Sequence, residues 1–205
     1  METIQISSLE DLAPYLSQYI LPHVKDSVQA CVQSFYADSY NDNWTFGTQL
    51  WRNTWNRIRT IAENEGNPVT LPVKGNDYYF HIGNATIHHH RVGGVGLLPT
   101  SGKAVKGLAD DAQLPLFPQE REHSLENIIL GISATPRNGL NEVFLGKLEK
   151  DSSLDQYFWS EKVSLYNVSS AEPAEVEYIF VGEEEEAVPV LAIRPKTEEI
   201  AQPAT

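Results

Sequence analysis

The period at which apolar residues recur changes once along this chain, at Gly66, and nothing else in the sequence constrains the fold as strongly. Before Gly66 the spacing is helical. In the stretch that opens at Pro22, Val24, Val28, Cys31, Val32 and Phe35 share one face of a helix. WTFGTQLWRNTWNRIRTIAENEG then sets Trp44, Leu50, Trp51, Trp55, Ile58 and Ile61 largely along one stripe, which predicts a second buried helix face with the tryptophans in the core. Nearer the amino end, SSLEDL reads as a capping box, Ser7 standing three residues before Glu10. Beyond Gly66 the apolar runs are short and β-rich: VTLPV, DYYFHI, ATIHHHRV, NIILGISA, NEVFLGKL, KVSLYNV, VEYIFVG and AVPVLAI. Gly83-Asn84 and Asn138-Gly139 supply turns between them, and the acidic run Glu183–Glu186 reads as a solvated hairpin tip.

Helices first and strands afterwards, without alternation, predict an α+β fold with amino-terminal helices packed on a mostly antiparallel sheet. One domain over residues 1–194 is expected, helical across 7–66 and sheet across 68–194, with 195–205 as a frayed tail. A long central loop over 93–123 interrupts the order. It carries Gly93, Gly94, Gly96, Pro99, Gly102, Gly107, Pro115 and Pro118 and no sustained period, and loops of that length inside a domain are usually functional or disordered.

Charge narrows the classes of partner. Twenty-eight acidic against fifteen basic residues give a formal net charge of −13, which repels nucleic-acid backbone and anionic membrane. Neither a signal peptide nor an apolar run near the roughly 18–20 residues of a membrane span is visible. A cytoplasmic protein is therefore expected, with neither membrane nor nucleic acid as its partner. The single cysteine, Cys31, leaves no intrachain disulfide and reads as a small buried apolar residue.

The chemistry-bearing residues are few. In IHHHRVGG, His88 and His90 share one strand face and His89 points the other way. His88 and His90 are thus the candidates for a metal, with His81 or His123 as third ligand, but HExxH, CxxC and carboxylate–histidine spacings are lacking and no metal or other cofactor is expected. A polar strand face with one histidine buried and hydrogen-bonded is the competing reading. GGVG and GISATP lack the context of a phosphate loop or a dinucleotide fold. Lys74, Arg91, Lys103 and Lys106, with Arg52, Arg57 and Arg59 on the preceding helix, form the one locally basic stretch. Arg52, Arg91, Lys103 and Lys106 are the candidate nucleic-acid contacts, interleaved with Trp51, Trp55, Tyr78 and Tyr79. A metal-free nuclease or toxin using His88 or His90 as acid and base belongs to this reading. No nucleophile elbow or paired catalytic carboxylates accompany them, so the residues do not by themselves specify an enzyme.

Inside the long loop lies QLPLF, residues 113–117. Pro115 and Pro118 favour extended backbone, Leu114, Leu116 and Phe117 offer apolar area, and Gln113 offers an amide that can bond on both sides. The pentapeptide resembles the glutamine–leucine–x–leucine–phenylalanine motif with which bacterial polymerases and replication-control factors bind the DNA sliding clamp. The resemblance covers these five residues. It implies Gln113 as polar anchor, Leu114 as flanking contact, and Leu116 with Phe117 as the plug of a hydrophobic cleft; Pro115 stands at the variable position. It further implies a bacterial, non-enzymatic docking protein that competes with polymerases, acting as a replication inhibitor or as a toxin held by a neutralising partner. Two alternatives stay open: Leu114, Leu116 and Phe117 folding back onto the sheet as a structural plug, and an adaptor for another partner.

Overall fold

A computed structural model of the chain describes residues 4–72, 78–93, 97–102, 105–106, 108, 125, 127–151, 153–154 and 156–168. All of them belong to a compact unit spanning Met1–Glu172. A second unit, Pro173–Thr205, lies outside the described residues, and with it the expected strands VEYIFVG and AVPVLAI, the acidic tip Glu183–Glu186 and the tail 195–205.

Three helices come first: α1 (Leu9–Tyr19), α2 (Leu21–Ala37) and α3 (Asn43–Glu63). The α1 cap sits one residue later than SSLEDL suggests. Ser8 is the N-cap, its hydroxyl accepting from Asp11 N–H at 3.1 Å, while the Asp11 carboxylate accepts from Ser7 N–H at 3.2 Å. The serine cap is thus moved along by one position, and the returning carboxylate takes the N–H of the residue before the cap rather than that of the cap itself. α2 follows directly, with Pro22 in its first turn where no N–H is required. It buries Val24, Ser27, Val28 and Cys31. α3 is capped by Asp42, whose carboxylate accepts from Thr45 N–H at 2.7 Å.

The strands are β1 (Val69–Thr70), β2 (Tyr79–Ile82), β3 (Ala85–Gly93), β4 (Leu98–Pro99), β5 (Ile128–Thr135), β6 (Gly139–Asp151) and β7 (Gln156–Asn167). They form one sheet in the order β1-β2-β3-β5-β6-β7, with β4 added beside β3. Gly83-Asn84 makes the two-residue β2–β3 hairpin, Gly83 taking φ +59, and Gly139 ends the β5–β6 turn at φ +67. Side-chain-free backbone suits both positions. Every pairing is antiparallel except β3 with β5, which run parallel from Ile87↔Ile128 to Arg91↔Ile132. Parallel neighbours cannot be joined by a tight turn, so the chain must cross over between them. The long loop of the sequence is that crossover. Its described part is not featureless: β4 pairs with the end of β3, and Val105 and Leu108 are buried.

The helices pack against the sheet, and among the described residues a smaller cluster forms on its other face. α1 packs on β6 and β7, α2 on β6, and α3 on β3 and β1. Leu9, Leu12 and Leu16, Val24 and Val28, and Phe46, Leu50 and Ile58 join Ile87, Ile128, Leu130, Val143 and Leu145 in the main core. On β5, Ile129 alternates with Ile128 and Leu130 and faces the other way. There it joins Val105, Leu108 and Leu148, with Leu98, Tyr157 and Trp159 against them. Among the described residues no helix is long and apolar enough to cross a membrane.

One prediction about α3 is overturned. Its buried face is Phe46, Leu50, Thr54, Ile58 and Ile61, while Trp44 is 76% exposed and Trp51 and Trp55 are half-buried. Trp51 stands about 100° round the helix from Leu50, so the tryptophans occupy a flank of the core stripe rather than its centre. Leu50, Ile58 and Ile61 are buried as predicted.

Candidate functional site

The flank carrying Trp51 and Trp55 meets β3. His89 is buried on the α3 side of that strand, and its imidazole lies nearly parallel to both indoles, at 5.4 Å and 16° from Trp51 and 5.7 Å and 6° from Trp55. Tyr78 meets the same indoles edge-on, at 4.6 Å and 5.6 Å. The His89 Nε2 is 3.2 Å from the Trp51 carbonyl. A carbonyl only accepts, so Nε2 carries the proton and Nδ1 is left with a lone pair. That Nδ1 finds no hydrogen-bond partner among the described residues. Burial lowers the His89 pKa to about 4, against a smaller opposing effect of the Trp51 carbonyl, and the ring is neutral at physiological pH.

On the edge of β3 that faces β2, pairing with β2 stops at Tyr79↔His88 and pairing with β4 begins at Val92↔Pro99. A pocket of about 510 Å³ is found at this interval, lined by Trp44, Gly47, Thr48 and Trp51 of α3, His90 and Arg91 of β3, and Thr100 and Ser101 beyond β4. Arg91 extends along the first turns of α3, where Nη1 donates to the Asn43 carbonyl at 3.0 Å and the guanidinium lies over the Phe46 ring at 5.4 Å. Thr100 closes the opposite wall through its N–H, which donates to the Arg91 carbonyl at 3.0 Å. His90 is lowered to about 4, by burial first and by His88 second, so it too is neutral. Burial also lowers the Arg91 pKa from its ordinary value, which leaves the guanidinium charged.

Comparison of the chain with protein-family models, curated proteins and solved structures finds no match. The site is therefore read from its own chemistry.

Of the predicted nucleic-acid contacts Arg52, Arg91 and Lys106, Arg91 alone lines the pocket; Arg52 and Lys106 are exposed elsewhere, and Lys103 lies outside the described residues, as does Lys74. Arg57 instead meets Asp26 at 3.4 Å on the surface. His88 and His90 do share the face opposite His89, and His81 joins that face through the Tyr79 ring, which is 5.2 Å from His81 and 5.4 Å from His88. Even so, among the described residues no three histidine, cysteine or carboxylate side chains are arranged to hold a metal, and His123 is outside them. Cys31 is buried beside Asn53, whose amide donates to Sγ at 3.3 Å, and burial pushes its thiol up, away from the thiolate a nucleophile needs. Gln113, Leu114, Leu116 and Phe117 lie outside the described residues. Missed altogether from the sequence were Gly47, Thr48, Thr100 and Ser101. One signal was available: a glycine inside a strong helical period, at Gly47.

Proposed function

We propose that this chain is a non-enzymatic docking protein that engages the bacterial DNA sliding clamp through QLPLF, and that it thereby excludes polymerases from the clamp as a replication inhibitor or toxin. The observation that supports this reading is the place of the pentapeptide in the topology. It lies in the obligatory crossover between the parallel strands β3 and β5, in the sixteen residues 109–124. Both flanks are anchored. Leu108 is buried with Val105 against Ile129 and Leu148, and Leu125 packs on the main core while its carbonyl accepts from Thr86 N–H at 2.9 Å. A peptide held at both ends on central strands has less freedom to lose on capture than a free tail. The test measures binding of the full chain to purified clamp, beside its melting temperature, for the wild type and for Leu116→Ala, Phe117→Ala. Lost binding with unchanged melting is the expected outcome; a wild type that does not bind the clamp ends the proposal. A drop in melting of the size that a buried Phe commands, about 3–5 kcal/mol, would instead favour a structural plug.

A second reading, nucleic-acid processing on the His88/His90 strand, draws on one observation, the joint presence of His90 and Arg91 in a pocket flanked by indoles. Against it, a His90 whose pKa is about 4 holds no proton to donate at neutral pH, so it does not serve as a general acid there.

A further inference from the structure

The pocket beside α3 contains a cation whose placement the fold does not explain. Arg91 is half-buried, yet among the described residues no carboxylate lies within ion-pair distance of it. In a chain with 28 acidic residues against 15 basic ones, a carboxylate partner would be easily supplied. Its polar contact is a carbonyl in the first turn of α3, the end at which the helix dipole is itself positive and disfavours a cation. The space it occupies is made by Gly47. A Cβ on that residue would come within 2.6 Å of Arg91 Nη1, and Gly47 lies in the interior of a 21-residue helix, where glycine is unfavourable. The helix thus carries a destabilising residue whose visible consequence is room for this guanidinium.

What surrounds Arg91 suits a ligand rather than a structural ion pair. One of its N–H groups goes to Asn43, and among the described residues no other hydrogen-bond acceptor takes the rest. Trp44 and Trp51 add flat apolar surface, Trp44 being largely open to solvent. A volume of about 510 Å³ lies within the range of small-molecule sites.

We infer that the pocket bounded by Trp44, Gly47, Trp51, His90 and Arg91 binds a small planar anion, its ring against the indoles and its acidic group on the Arg91 guanidinium. Two sources share this chemistry, a nucleoside monophosphate and an aromatic carboxylate. Isothermal titration calorimetry of the full chain at low ionic strength separates them, with adenosine 5′-monophosphate and indole-3-carboxylate as probes and adenosine and inorganic phosphate as fragments. One-to-one binding of at least one ring-bearing anion is expected, with each fragment at least tenfold weaker. Binding of the nucleotide alone assigns a phosphate site, and of the carboxylate alone a carboxylate site. Arg91→Gln should lower the affinity at least tenfold. Gly47→Ala should do the same by displacing the guanidinium, with melting unchanged or raised, and it carries the test should Arg91→Gln fail to fold. The inference is overturned if neither ring-bearing probe binds, if inorganic phosphate binds as well as the nucleotide, or if Gly47→Ala leaves affinity intact.

Discussion

The buried imidazole of His89 makes the stability of this protein depend on pH below neutrality. Its folded pKa is about 4 against an ordinary value of 6.5, because burial penalises the charged ring. The unfolded chain therefore takes up a proton near pH 6.5 and the folded chain does not until near pH 4. The sign follows from this difference: stability is full above about pH 6.5, falls as pH drops toward 4, and levels off below that. Each pH unit inside the window is worth at most about 1.4 kcal/mol per group, so lowering the pH from 7.5 to 5 removes about 2 kcal/mol through His89 alone. His90, shifted in the same direction, adds to the slope. Asp42 and Asp151 are held below the usual carboxylate range by the hydrogen bonds they accept from Thr45 and Ser153, and add no slope in this window. The perturbation is His89→Phe, which keeps a ring between Trp51 and Trp55 and deletes the titration. Urea unfolding followed by tryptophan fluorescence, at pH 7.5, 6.5, 5.5 and 5.0, should show about 2 kcal/mol less loss in His89→Phe than in the wild type. Equal pH slopes in the two proteins, or an NMR titration of the His89 ring near pH 6.5, would refute the burial argument.

Two further expectations concern packing and capping. A Cβ at Gly131 would meet Phe144 Cζ at 2.5 Å, and Phe144 is itself held edge-on by Trp159 at 5.0 Å. Gly131→Ala should therefore cost about 1–3 kcal/mol by overpacking, read as a lower urea midpoint with unchanged slope; a neutral result would show that the Phe144 ring moves freely. Ser8→Ala removes the oxygen that caps Asp11 N–H and should cost about 1 kcal/mol, a melting shift of roughly 2–4 °C in a chain of this size. Glu10→Ala should change little, and the opposite ranking would return the cap to Ser7.

Most of the architecture was legible locally. A helix or strand period is a property of neighbouring residues, so α2 and α3, the tight turn at Gly83-Asn84 and the turn at Asn138-Gly139 could be read from spacing alone, and their order specified an α+β fold. Cys31 and the opposed directions of His88 and His89 followed from the same rules. What the residues did not disclose is non-local. The parallel pairing of β3 with β5 joins segments separated by a crossover, and no periodicity reports which strands become neighbours. The tryptophans of α3 satisfied a helical stripe, yet the burial of Phe46, Leu50 and Thr54 rotated that stripe toward the core and left Trp51 and Trp55 to hold His89. A pattern gives the angle between residues, whereas the packing partner decides which angle points inward. The pocket is non-local in the same sense. Gly47 and Arg91 stand 44 positions apart in the numbering, and only the docking of α3 on β3 gives the missing side chain of one a meaning for the other.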